Sequence, residues 1–140
     1  MSVQITADDL LRGLLAALTI NSKGPASLEG SRPRIHRAFR RVLEQVEQPP
    51  FSAQVQVDLF DVDFDPLYGQ SRWLDRALTR AQRGRVISFP NPRYQRIDVQ
   101  LGAKEASDVL DEIGAREPFL ELARLFRNEL PSVQPEAAAP

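Results

Sequence analysis

Between Ser71 and Leu101 the chain changes hydrophobic period at a glycine, and that switch restricts the fold more than any other stretch. Ser71 is a helix-capping residue type and Gly84 a helix-stopping one. At about 100° per residue, Trp73, Leu74, Ala77, Leu78 and Ala81 share one face of the intervening helix. Arg72, Arg76, Arg80 and Arg83 form an adjoining stripe. After Gly84, the segments Arg85 to Phe89 and Tyr94 to Leu101 alternate well enough for a hairpin, joined by Pro90-Asn91-Pro92-Arg93. A capped helix running into a two-stranded hairpin makes the chain α+β.

Flanking elements are helical. Thr6 and Asp9 have the spacing of a capping box, and Leu10, Leu11, Leu14, Leu15 and Leu18 recur behind them at helical spacing. Asn21 to Pro33 reads as a loop from its Gly, Ser and Pro content. A second helix begins near Pro33 with Ser31 as its cap, places Ile35, Phe39, Val42, Leu43 and Val46 on one arc, and stops at Pro49-Pro50. Arg34, Arg37 and Arg41 lie on its other side. Phe51 to Phe64 then alternates with period two and is expected to be one strand or two. Two closing helices follow, one from Ala103 to Ile113 and one carrying Phe119, Leu122, Leu125, Phe126 and Leu130. Residues 1–130 are expected to form a single domain, and Pro131 to Pro140 a disordered Ala- and Pro-rich tail.

Composition excludes several classes. A chain of 140 residues holds one core. Without cysteine there is no disulfide framework, thiolate nucleophile or cysteine zinc site. Nothing suggests a membrane span or an export signal, so a soluble, cytoplasmic protein is expected. The net charge of −1 hides an uneven distribution. Arg32 to Arg41 carries five arginines and no acid, Ser71 to Arg96 is net +6, and from Leu101 onward eight acids face four bases. Such asymmetry predicts one basic face on an acidic remainder. All the basic residues but Lys23 and Lys104 are arginine, a preference that suits bidentate phosphate or guanine contacts and also follows from a GC-rich genome.

The helix, glycine stop and hairpin follow the order of a winged helix-turn-helix. Tyr68-Gly69-Gln70-Ser71 followed by Leu74, Leu78, Gly84 and Val86-Ile87 resembles the corresponding run of Panacea-domain antitoxins and PadR-type regulators, with Gln70 where a proline is common. The resemblance covers Arg34 to Leu101. It implies a winged-helix core with extra N- and C-terminal helices, serving as a DNA-binding transcriptional regulator or antitoxin. In that architecture the helix before the wing enters the major groove, and the wing approaches phosphate or the minor groove. Double-stranded DNA is therefore the expected partner, with Ser71, Arg72, Arg76, Arg80, Arg83, Arg93 and Arg96 as its contacts. Ser71 is expected both to cap the helix and to meet a phosphate. The alternative is a winged-helix protein-interaction module, a subunit of a larger bacterial or phage-defence assembly, since this fold serves both classes.

Other candidates carry less. Four arginines on one face repel one another by about 0.2–0.5 kcal/mol per i,i+4 pair; a polyanion relieves this, as do solvation and salt bridges to the preceding aspartates. Asp61, Asp63 and Asp65 would stand about 6–7 Å apart on one strand face, but no EF-hand glycine or closing glutamate accompanies them. His36 is the only histidine; with no second ligand or dyad partner in view it reads as a helix-surface residue. No catalytic pair, phosphate-binding glycine loop, metal set or cofactor motif is visible, so no enzyme is expected. Trp73 reads as a core or interface anchor, and Tyr68 and Tyr94 as flanks of the helix and wing. The Leu10–Leu18 and Phe119–Leu130 stripes exceed what a minimal winged helix buries, so a homodimer through them is expected.

Overall fold

The computed structural model describes residues 3–22, 27–29, 32–60, 62–63, 71–84, 87–88 and 96–130. Its first elements are a short strand, β1 (Val3–Thr6), and a helix, α1 (Ala7–Asn21). The capping box is present. Asp9 N–H donates to Thr6 Oγ1 at 3.1 Å and Thr6 N–H to Asp9 Oδ2 at 3.2 Å. Ten of the fifteen residues of α1 are buried, including Leu10, Leu14, Leu15 and Leu18. A helix that is apolar nearly all round is a core element, and α1 is the one around which the others assemble. Removing its cap by Thr6→Ala is expected to lower stability by about 1 kcal/mol, read as an earlier urea midpoint.

Three further helices complete the helical core, two of them directly against α1. The amphipathic helix α2 (Arg32–Val46) buries Ile35, Ala38, Phe39, Val42, Leu43 and Val46 and exposes Arg34, Arg37, Arg40 and Arg41. Near the C-terminus lie α5 (Ala103–Ile113) and α6 (Arg116–Glu129), the two principal neighbours of α1. Gly114 joins them at φ 82°, a left-handed conformation in which any Cβ is strained. Phe119, Leu122 and Leu130 are fully buried. The two stripes from which a dimer was expected therefore pack against each other within one chain.

The remaining elements are α3 (Phe51–Gln54), β2 (Ser27–Glu29), β3 (Val55–Asp58), α4 (Arg72–Arg83), β4 (Ile87–Ser88) and β5 (Arg96–Val99). They form two small sheets among the described residues. In one, β1 runs parallel to β3 from Val3 opposite Val55 to Thr6 opposite Asp58. In the other, β5 lies between β2 and β4, antiparallel to both, with Leu28 opposite Ile97 and Ile87 opposite Val99. All four of those side chains are buried, so the three-stranded sheet has one face on the core.

Several sequence expectations are corrected. Phe51 to Gln54 is a helical turn rather than the start of a strand. Ser52 N–H bonds to Gln48 O and Ala53 N–H to Pro50 O, which turns Phe51 inward, edge-on to Phe119 at 5.7 Å. The expected loop after Asn21 contains β2, recruited by β5. The second hairpin strand ends at Val99 rather than Leu101, and Arg85, Val86 and residues 89–95 lie outside the described residues. Val62 and Asp63 lie outside any strand, and Asp61 and Asp65 lie outside the described residues, as do Ser31, Tyr68, Tyr94 and Pro131 to Pro140.

Candidate nucleic-acid interface on the fourth helix

The start of α4 is built by three buried or half-buried polar groups. Ser71 Oγ accepts from Leu74 N–H at 3.1 Å, which is the expected N-cap. Ser71 N–H donates to His36 Nδ1 at 2.9 Å, and His36 Nε2 lies 2.9 Å from Asp75 Oδ1. An Nδ1 that accepts a backbone N–H carries no proton, so Nε2 is the protonated nitrogen and donates to Asp75. His36 is fully buried, which corrects its reading as a surface residue. It stands at i−3 from Phe39 and i−7 from Leu43, so the apolar arc of α2 was the signal that places it inside. It clamps α2 to the first turn of α4.

Asp75, His36 and Ser71 are the residue types of a hydrolytic triad, but the atoms differ. The imidazole meets Ser71 through its backbone N–H, while the hydroxyl caps the helix. Among the described residues no base is placed to remove the hydroxyl proton. Ser71 has no exposed surface, so its expected second role of meeting a phosphate is not open to it in this conformation.

Beyond the cap, Leu74, Ala77 and Leu78 turn into the core, and Arg72, Arg76, Arg80 and Arg83 all stand exposed. Trp73 is half-buried and stacks on Phe39, with ring centroids 5.8 Å apart at 26°. This contact fixes the rotation of α4 and so the direction of the arginine stripe. Arg80 pairs with Asp8 of α1 at 2.8 Å. Both side chains are more than half exposed, where such a pair contributes about 0–1 kcal/mol and is screened by salt. Arg72, Arg76 and Arg83 make no ion pair among the described residues.

A shallow hollow lies along the first half of the stripe, lined by Asp8, Phe60, Asp63, Arg72, Trp73, Arg76 and Arg80. Phe60 is 90 % exposed, the only large apolar side chain so displayed among the described residues. Its N–H donates to Asp58 Oδ1 at 3.0 Å, which turns the chain outward just after β3. Neither Asp8 nor Phe60 is marked in the sequence, because the fold alone brings them to α4. A second concavity, lined by Asp75, Arg76, Thr79, Arg80 and Arg83, continues the surface toward the helix C-terminus.

Two arginines of the first block, Arg34 and Arg41, turn away from the stripe on α4. Arg34 reaches Glu129 O at 3.5 Å and Arg41 Nε reaches Glu129 Oε1 at 3.2 Å, both at the end of α6. At about 100° per residue they lie roughly opposite His36 and Leu43 on α2, and His36 faces α4. Of the residues expected in the hairpin, Arg93 lies outside the described residues, and for Arg96 only the backbone within β5 is described. Among the described residues no group of three or more His, Cys, Asp or Glu side chains is arranged to hold a metal, and no helix is long and apolar enough to cross a membrane. No family model matches the chain, and no curated protein or solved structure matches it either.

Proposed function

We propose that the chain is a winged-helix DNA-binding protein, a transcriptional regulator or antitoxin-like protein, with α4 as the helix that enters the major groove. The observation that carries this reading is the stripe of Arg72, Arg76 and Arg83, exposed and without an ion pair among the described residues, on the helix just before the β4–β5 hairpin. Topology supports it. Leaving out β1, the α3–β3 insertion and the closing helices α5 and α6, the order is helix, strand, helix, helix, strand, strand, and the third strand lies between the other two. That order carries a recognition helix followed by a wing. The guanidinium groups would bind phosphates and guanine edges, and Asp8 would hold Arg80 until the polyanion displaces it.

The test is a salt titration of binding to a mixed-sequence duplex, beside an Arg76→Glu/Arg80→Glu variant. Wild type is expected to lose affinity steeply with salt, as counterions released from phosphates require. The variant is expected to bind at least about tenfold more weakly and to lose roughly one unit of salt slope per phosphate contact removed. A folded wild type that fails to bind at low salt would end the DNA reading. The exposed phenyl of Phe60 and the Asp8–Arg80 pair favour one alternative, a protein-interaction module that recognises a mixed apolar and charged surface. In that case the same variant loses a protein partner and no DNA.

A further inference from the structure

We infer that Phe60 is a sequence-reading contact to thymine, which rests on the DNA reading above and extends it from phosphate to base recognition. Phe60 is the one fully displayed large apolar side chain among the described residues, 90 % exposed, and it lines the same hollow as Arg72, Trp73, Arg76 and Arg80. The hydrogen bond from its own N–H to Asp58 anchors the chain where it projects, so the ring stands beside α4 on a tethered turn. An exposed phenyl gains on binding only where it meets another apolar group. A duplex presents one such group to a helix in its major groove, the C5 methyl of thymine. The arginines supply the attraction to phosphate, which carries no sequence information, and the phenyl supplies a contact that only A·T pairs can satisfy. Asp63, in the same hollow, opposes phosphate and suits the base-edge side of the groove, where cytosine N4 is the donor an acid accepts from.

The decisive comparison is a duplex of alternating A and T against the same duplex with deoxyuridine for thymidine, which deletes only the methyl. Wild type is expected to bind the uracil duplex several-fold more weakly. Phe60→Ala is expected to bind both duplexes alike, at the affinity wild type has for the uracil form, while keeping the wild-type salt slope. At 90 % exposure the substitution removes no core packing, so an unchanged urea midpoint is expected to confirm that the variant is folded. Equal wild-type affinity for the two duplexes, or discrimination that persists in Phe60→Ala, would overturn the assignment while leaving DNA binding intact. A preference for single-stranded over duplex oligonucleotide that Phe60→Ala removes would also overturn it, since the ring would then be stacking on bases. Absence of salt-dependent binding to any duplex would remove the function and the inference together.

Discussion

Phe119→Ala is expected to cost about 3–5 kcal/mol, because a fully buried ring is lost and the surrounding helices relax only partly into the space. That is a large share of the roughly 5–15 kcal/mol that holds a small domain together. The ring lies where α1, α3 and α6 meet, edge-on to Phe51 and against the backbone of Gly13. A Cβ placed on Gly13 would stand 2.5, 2.8 and 2.9 Å from three atoms of that ring. Helix propensity alone says Gly13→Ala should gain up to about 1 kcal/mol. The contact says otherwise. Phe119 cannot shift without disturbing Phe51, so overpacking of about 1–3 kcal/mol is expected to dominate. Urea denaturation checks both variants, and Gly13→Ala combined with Phe119→Leu is expected to lose less than the sum of the two. A higher midpoint for Gly13→Ala would mean that α1 and α6 do not approach so closely.

The helices were legible because their signals are local. Thr6 with Asp9, Ser71 with Gly84, and the stripes behind them each lie within a single element, and each appears where its spacing predicts. Strands β3, β4 and β5 were legible from their alternation, but β1 and β2 were not, because pairing made them. Val3 to Thr6 is four residues with no turn signal, and it becomes a strand only through Val55 to Asp58, some fifty positions away. Ser27 to Glu29 lies in a segment whose Gly, Ser and Pro content argues for a loop, yet β5 imposes the antiparallel register on it. At the candidate site the arginine stripe was readable from helical periodicity. Its neighbours Asp8 and Phe60 were not, since tertiary packing alone delivers them. The partner of the apolar stripes in α1 and α6 was equally unreadable, since only the fold brings the two helices together.

His36 is where the fold and the candidate interface depend on one side chain, and His36→Ala is expected to cost about 3 kcal/mol. Truncation leaves a cavity and removes two partners at once, and a buried donor or acceptor left unmade costs about 1–3 kcal/mol. The two halves of the ring are separable. Asparagine places an oxygen near Nδ1 and can still accept from Ser71 N–H, whereas glutamine places an amide near Nε2 and can still donate to Asp75. Both are expected to retain more stability than alanine in urea denaturation, each by its own bond. Hydrogen exchange at the Ser71 amide distinguishes them, staying slow in His36→Asn and accelerating in His36→Gln. Phenylalanine fills the volume without either bond. Full stability in His36→Phe would mean that packing, and not the clamp, holds α4 in place. A loss as large as that of alanine would mean that Ser71 and Asp75 need a polar partner, and that the direction of Arg72, one residue beyond the cap, is set from inside the core.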